Sequence, residues 1–220
     1  MEINYKKTAF PRKVFISGID TDAGKSYVTG IIARRLIEAG ISTTTLKFVQ
    51  TGNVGYSEDI EIHRRIMGTE KSKYDENLLT SPEIFTYPCS PDLASRIDGR
   101  PIDFEKIHNA IDTLVKNYDV VMIEGAGGLM VPLQGEYLTI DYIKDQKLPV
   151  ILTVNSRLGS INHALLSLYA IKKYGIDLYA VAYNSYYDND KIIAEDTRNY
   201  IKEWLNNHFP ETYFIEIETI

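Results

Sequence analysis

The sequence predicts a three-layer α/β fold, in which a mainly parallel central sheet carries helices on both faces. Two observations predict it. Short apolar runs alternate along the chain with segments whose apolar residues recur at helical spacing, an alternation typical of right-handed crossovers between parallel strands. Some of the short runs are apolar at every position, which indicates strands covered by helices on either side. The 220 residues suffice for one large domain or two small ones, and we assign 1–220 to a single domain.

The first predicted elements are a strand, a helix, a second strand and a second helix. A buried strand over 14–18 runs into a glycine-bounded turn, and the helix after it ends at Gly40. The apolar face of this helix consists of Val28, Ile31, Ile32, Leu36 and Ala39. A second strand is expected over 43–49 and a short helix over 59–67. The four prolines of 68–102 predict an irregular segment, of a length that is usually functional.

The remaining elements repeat the alternation. Asp103 is a suitable N-cap for an amphipathic helix, and 120–123 is a strand that is apolar on both faces. A strand over 149–154 precedes a helix that starts at Ser160. The last elements are a strand, a helix and a strand over 178–182, 192–206 and 213–217. Ligands of such sheets bind at the carboxyl ends of the strands, which is where the motifs fall.

Composition and charge exclude several classes of protein. The chain carries 30 acidic and 24 basic residues, a net charge of −6, which argues against broad binding to a nucleic-acid backbone. Cys89 is the only cysteine, so an intrachain disulfide and a thiolate metal cluster are both excluded. No stretch approaches 18 uninterrupted apolar residues, and 1–13 lacks the apolar core of a signal peptide. We expect no nucleic-acid partner, no membrane partner and a cytoplasmic location.

The strongest motif lies between the first strand and the first helix, where the chain reads GIDTDAGKS from Gly18 to Ser26. This is the context that a phosphate-binding loop requires. Gly18 and Gly24 let the backbone curl so that amide groups converge on phosphate oxygens, and the helix start adds its positive dipole end. Lys25 would reach the β- and γ-phosphates, and the Ser26 hydroxyl would bind Mg²⁺. Five residues separate the two glycines instead of four, so the loop is a variant.

Three further charged residues lie at the ends of predicted elements. Glu124 and the small residues after it follow the strand 120–123, which suits a direct or indirect Mg²⁺ ligand as well as an ordinary turn. Lys47 ends the second strand, and it is a candidate second cation for phosphoryl transfer if the first two strands are neighbours. Asp59 starts a helix, where its spacing alone favours a capping role.

These residues resemble, in order and spacing, the dethiobiotin synthetase family of P-loop NTPases. The similarity spans most of the chain and is carried by Gly18–Ser26, Lys47 with Thr51, Ser81–Pro82, Gly99–Ile102, Glu124–Gly128, Leu148–Leu152 and Leu158–Ala164. The resemblance implies an ATP- and Mg²⁺-dependent cyclo-ligase of biotin biosynthesis. Such an enzyme forms the ureido ring of dethiobiotin from 7,8-diaminopelargonate and CO₂.

The resemblance also implies a mechanism. One amine captures CO₂ as a carbamate, whose oxygen attacks the γ-phosphate to give a mixed anhydride; the second amine then closes the ring and expels phosphate. The implied catalytic residues are Lys25, Lys47 and Thr21. The two lysines would bridge phosphate and carbamate, because these anions repel one another. Thr21 and Thr51 would hydrogen-bond around the carbamate.

The binding residues follow from the same resemblance. The nucleotide would contact Asp22, Ala23, Gly24, Lys25, Ser26 and Asn184. Mg²⁺ would be held by Ser26, Asp59 and Glu124, directly or through water. The substrate would contact Thr51 and a helix start formed by Gly159, Ser160, Ile161 and Asn162. In this family that helix belongs to the neighbouring subunit, so a homodimer is implied. Three histidines on predicted helices have no visible partner and receive no role: His63, His108 and His208.

Two departures and two alternatives remain. Asp22 stands where the family commonly has Glu, and Ser185 where a common Asp follows the adenine-contacting Asn, so use of triphosphates other than ATP is a hypothesis. A partitioning-type regulatory ATPase would share the fold and loop, but the further lysine that such proteins carry at the loop's start is absent. An amidotransferase-type ligase of cobalamin synthesis would need a glutaminase domain, for which 220 residues leave no room.

Overall fold

The computed structural model describes residues 10–218, and a six-stranded parallel sheet organises them. In chain order the strands are β1 (Lys13–Gly18), β2 (Thr43–Lys47), β3 (Gln50–Thr51), β4 (Ile84–Phe85), β5 (Val120–Gly128), β6 (Pro132–Gln134), β7 (Tyr137–Leu138), β8 (Val150–Asn155), β9 (Leu178–Asn184) and β10 (Tyr213–Ile217). The helices are α1 (Lys25–Glu38), α2 (Glu58–Met67), α3 (Lys73–Glu76), α4 (Pro91–Ile97), α5 (Phe104–Asn117), α6 (Thr139–Asp145), α7 (Ser160–Tyr174) and α8 (Lys191–His208). The predicted domain, 1–220, extends beyond the described residues at both ends.

The central sheet has the strand order β10-β9-β8-β1-β5-β2, and every pairing in it is parallel. Its two faces are buried in two separate apolar clusters. Val14 and Ile16 of β1 lie in the cluster that contains α1, whereas Phe15 between them lies in the cluster that contains residues of α5, α6, α7 and α8. Side chains alternate across a strand, so a continuous apolar run reflects burial on both faces. The predicted three-layer α/β fold is confirmed.

Most predicted elements lie where the sequence placed them, but several boundaries differ. The strand predicted over 43–49 ends at Lys47, and Ala39 is an exposed residue after α1 instead of part of its buried face. Gly40 has the positive φ of 79° expected at a helix end. The segment 68–102, predicted to be irregular, contains α3, β4 and α4. These elements are two to seven residues long, too short to show a clear period in the sequence.

The expected adjacency of the first two long strands is wrong. The strand β5 lies between β1 and β2, pairing Ile16 on one side and Lys47 on the other with Glu124. Glu124 is also not at the end of its strand, because β5 continues to Gly128. Helices of the described chain include none with the length and apolar character needed to cross a membrane.

Candidate active site

The loop after β1 has the conformation that a phosphate-binding loop requires. A single 3-10 turn (Thr21–Ala23) is capped by Asp20, whose carboxylate accepts from the Thr21 amide at 2.7 Å. Gly24 then adopts a left-handed conformation with φ of 88°, and α1 begins at the next residue. A Cβ at Gly24 would lie 2.1 Å from Nδ2 of Asn184, so glycine is required here both by backbone angle and by space. The start of α1 leaves amide groups without intrahelical partners, as an anion site needs.

Lys25 folds back over this loop. Its Nζ donates to the carbonyl oxygens of Asp20 and Thr21 at 3.0 and 3.1 Å, and only 5% of the residue is exposed. Burial, and next the positive charge of Lys47, lower the pKa of Lys25 to about 8. An ammonium group held in this way has charge to offer to an anion that enters the loop.

Ser26, Lys47, Asp59 and Glu124 form a compact polar cluster beside Lys25. The Ser26 hydroxyl lies 2.7 Å from Oδ1 of Asp59 and 2.9 Å from Oε1 of Glu124. The Lys47 ammonium lies 2.6 Å from Oδ2 of Asp59 and 2.8 Å from Oε1 of Glu124. Lys47 also donates to the Gly125 carbonyl at 3.2 Å. Residues from β2, α1, α2 and β5 therefore meet at the carboxyl edge of the sheet, as the topology demands.

The charges of this cluster sustain one another. Burial alone would raise the pKa of the Glu124 carboxyl, but Lys47 and His63 outweigh it and hold that pKa well below its usual range. Burial alone would lower the pKa of the Lys47 ammonium, but Glu124 and Asp59 raise it above its usual range. The cluster thus keeps both carboxylate and ammonium charged although Glu124 is fully buried.

The oxygen atoms of Ser26, Asp59 and Glu124 fit a hard divalent cation in part. Oxygen donors are those that Mg²⁺ prefers, and it commonly uses one or two carboxylates together with phosphate oxygens and water. Over residues 10–218, no group of three or more His, Cys, Asp or Glu side chains is placed to hold a metal ion. The two carboxylates and one hydroxyl suit an ion that arrives with a nucleotide better than one held by protein alone.

Asp59 and Glu124 differ from their sequence-based interpretations in an instructive way. The N-cap of α2 is Ser57, whose Oγ accepts from the Ile60 amide, so Asp59 does not cap the helix and its carboxylate faces Ser26. Glu124 lies within β5, where its register partner on β2 is Lys47. The register, not adjacency of β2 to the loop strand, brings Lys47 to the site.

A cavity of about 610 Å³ opens over the loop and the cluster. The predicted residues that line it are Thr21, Asp22, Gly24, Lys25, Ser26, Lys47, Thr51, Asp59 and Glu124. A second cavity of about 350 Å³ adjoins it, because Thr21 lines both; its other walls include Gly128, Met130 and Leu166. The catalytic and metal-binding residues predicted from the sequence thus face one space.

Several predicted binding residues either form contacts within the chain or lie outside the loop cavity. Asn184 donates to the Ala23 carbonyl at 3.2 Å, so it braces the loop, and Ala23 itself is buried. The segment Gly159, Ser160, Ile161 and Asn162 does not line the loop cavity. Ser160 is buried and bonded to Oδ1 of Asn155 at 3.0 Å, whereas Asn162 is exposed.

The sequence analysis missed three residues of the site. His63 is fully buried, and its Nε2 lies 2.5 Å from Oε2 of Glu124; its interpretation as a histidine without partners is wrong. The spacing of His63, one helical turn after Asp59, is the signal that could have indicated it. Arg157 and Tyr187 line the loop cavity and lie against each other. Tyr187 donates to the Asp22 carbonyl at 2.6 Å, and Arg157 pairs with Asp20 at 3.0 Å.

A phosphate-binding loop on the central strand of a parallel sheet, with a lysine and an acidic cluster beside it, defines a P-loop NTPase. In agreement, an AAA domain family model matches residues 12–208. The chain belongs to the ATP-dependent dethiobiotin synthetase family. It is 45% identical to ATP-dependent dethiobiotin synthetase BioD 2 of Haemophilus ducreyi over 93% of this chain and 97% of that protein. It is 46% identical to ATP-dependent dethiobiotin synthetase BioD of Chlorobaculum tepidum over 93% of this chain and 86% of that protein.

Solved structures support the fold alone. A plasmid partition protein from Borrelia burgdorferi bound to AMPPNP superposes with a TM-score of 0.56, over 96% of this chain and 87% of that one, at 12% identity. The fold is therefore shared with a plasmid partition protein and does not by itself distinguish a partitioning-type ATPase from a ligase. The sequence relatives favour the ligase, an enzyme that forms carbon–nitrogen bonds at the expense of ATP.

Proposed function

We propose that this chain joins CO₂ to both amines of 7,8-diaminopelargonate, with ATP and Mg²⁺, and releases dethiobiotin, ADP and phosphate. The observation that supports this proposal best is the convergence of Lys25, Lys47, Asp59 and Glu124 on one cavity over the loop. A partitioning-type ATPase would carry its further lysine at the loop's start, where this chain has none; a second buried lysine on a separate strand suits a reaction with a second anion, the carbamate.

In the proposed reaction the protein mainly positions and neutralises charge. The substrate amine adds to CO₂, and loss of a proton leaves a carbamate, whose oxygen forms a bond to the γ-phosphorus as ADP leaves. The second amine then attacks the carbamoyl carbon, and the bond to phosphate breaks. Lys25 would leave the loop carbonyls to contact the transferring phosphate, and Lys47 would lie between phosphate and carbamate. Thr21 and Thr51, which line the same cavity, would hydrogen-bond to the carbamate.

Ser26, Asp59 and Glu124 would hold Mg²⁺, which when bound supplies positive charge to the phosphate oxygens. The nucleotide would occupy the loop formed by Asp22, Ala23, Gly24, Lys25 and Ser26. Asn184, which braces this loop, would border the base. Comparing turnover with ATP, CTP and GTP tests the relaxed-nucleotide hypothesis, and a strict preference for ATP would refute it.

The decisive assay is phosphate release from ATP with and without diaminopelargonate and bicarbonate. We expect release to depend strongly on the diamine, whereas diamine-independent release would contradict the proposal.

Lys25→Ala should remove most turnover, because a cation facing developing charge contributes on the order of 3 kcal/mol. Lys47→Ala should lower kcat more than it weakens nucleotide binding; an effect on nucleotide affinity alone would exclude its role. Lys116→Ala, an exposed lysine on α5, is the matched control.

We also propose a homodimer in which Gly159, Ser160, Ile161 and Asn162 bind the substrate carboxylate in the neighbour's site. Their absence from the cavity of their own chain and the exposure of Leu158 (86%) and Leu166 (62%) beside them support it. Mixing inactive Lys25→Ala with inactive Asn162→Ala chains should restore about a quarter of wild-type activity, since half the dimers are mixed and one site in each is intact. No recovery, or a monomer in sedimentation, would exclude this arrangement.

The proposed use of ATP agrees with a cytoplasmic location, which cell fractionation tests.

A further inference from the structure

A buried chain of hydrogen bonds leads from Glu124 of the cluster into the interior. His63 connects Oε2 of Glu124 at 2.5 Å to the hydroxyl of Thr45 at 3.0 Å. That hydroxyl also accepts from Nη1 of Arg64 at 2.9 Å, and Arg64 is bonded twice to the Asp75 carboxylate at 2.8 and 2.9 Å. His63 and Thr45 are fully buried, and Arg64 is 5% exposed.

For a neutral imidazole, the partners of His63 assign the ring proton to Nε2. The Glu124 carboxylate only accepts, so Nε2 of His63 donates to it. Arg64 only donates, so the Thr45 oxygen accepts from Arg64 and its hydroxyl hydrogen is free to point at Nδ1 of His63. Every donor in the chain then has an acceptor, and the imidazole ring cannot turn without breaking two hydrogen bonds.

This arrangement assigns separate tasks to the two oxygens of Glu124. Oε2 is engaged by His63, while Oε1 faces Ser26 at 2.9 Å and Lys47 at 2.8 Å. A carboxylate fixed at one oxygen cannot rotate the other away from the site. Because His63 lies one turn after Asp59 on α2, the same helix face presents one carboxylate and orients the other.

We propose that His63 is a positioning residue that holds Oε1 of Glu124 toward the Mg²⁺–nucleotide, with Thr45 and Arg64 fixing the orientation of its ring. The inference rests on the proposed use of Mg²⁺. Hydrogen-bond partners behind metal-binding side chains typically change metal affinity by 10- to 100-fold when removed. An apolar side chain at position 63 would fill the same space without orienting Glu124.

The test measures Mg²⁺ binding directly, by calorimetric titration of the full chain saturated with a non-hydrolysable ATP analogue. His63→Leu should raise the half-saturating Mg²⁺ concentration by about 10-fold or more, while the affinity for the analogue without Mg²⁺ stays within about twofold, since His63 does not line the cavity. His63→Gln, which keeps an N–H donor, should recover most of the loss. His208→Leu, the same change on the exposed last turn of α8, is the control.

The outcomes separate the inference from the proposed function. A folded His63→Leu variant with wild-type Mg²⁺ binding overturns the positioning role and leaves Mg²⁺ use intact. If the wild-type chain itself takes up no Mg²⁺ with the analogue, both fail. Should His63→Leu not fold, Thr45→Val removes only the hydroxyl behind the ring; a several-fold rise in half-saturating Mg²⁺ supports the role, and unchanged Mg²⁺ binding overturns it.

Discussion

Replacing Lys47 by Met would show how much the fold depends on the charge of the site. Met keeps most of the length of the side chain but removes the ammonium that lies 2.6 Å from Asp59 and 2.8 Å from Glu124. Glu124, whose side chain is 1% exposed, would lose its closest full positive charge, and Asp59 would lose its ion-pair partner. The variant therefore tests how much stability is lost when the buried Glu124 carboxylate has no lysine ammonium to compensate its charge.

Breaking a buried ion pair on one side typically costs about 3–5 kcal/mol. We expect the lower end, about 3 kcal/mol, because Glu124 retains donors from His63 and Ser26. For a chain of this size each kcal/mol corresponds to about 2–4 °C in Tm, so the expected fall is about 6–12 °C. Mg²⁺ should recover part of the loss, since a divalent cation between the carboxylates replaces the missing charge.

The assay is urea unfolding followed by circular dichroism, with EDTA and then with millimolar Mg²⁺. Lys116→Met, at an exposed position of α5, controls for replacing a lysine as such. A free energy of unfolding within about 1 kcal/mol of wild type in EDTA would refute the reasoning, because the carboxylates would not depend on Lys47. A loss that Mg²⁺ leaves unchanged would show that the cation does not reach them.

Three further predictions concern the loop after β1, the buried ion pair of Arg64 with Asp75, and the start of α5. Gly24→Ala should lower the free energy of unfolding by about 2–3 kcal/mol. In an Asn184→Ala background the loss should be about 1 kcal/mol smaller, because the clash is absent and only the left-handed φ remains costly. Equal losses in urea unfolding in both backgrounds would contradict this. Burial alone would raise the pKa of Asp75, but Arg64 lowers it to about 2. This ion pair therefore contributes about 2 kcal/mol of stability above about pH 4, and the contribution is lost as pH falls toward 2. Asp75→Asn should remove this pH dependence of stability in acid titrations. Asp103→Ala should cost about 1 kcal/mol in urea unfolding by removing the N-cap of α5, and an unchanged midpoint would exclude the cap.

The sequence was sufficient where the determinants are local. The loop from Gly18 to Ser26 is contiguous, so its glycines, lysine and serine could be recognised from spacing, and in the structure Gly24, Lys25 and Ser26 line one cavity. Lys47 and Glu124 are 77 residues apart, and their contact depends on the pairing of β5 with β2, which periodicity does not predict. His63 was missed for the same reason, since its partner Glu124 lies 61 residues away.

The position of β1 in the sheet affects how the chain folds during translation. Its hydrogen-bonding neighbours are β5 and β8, so the nascent N-terminal strand waits for more than 100 residues before either neighbour leaves the ribosome. Non-local parallel pairing of this kind delays assembly and exposes apolar strand edges meanwhile. Fragments that end before Val120 lack both neighbours of β1, and we expect the loop after β1 to reach its final conformation only late in synthesis.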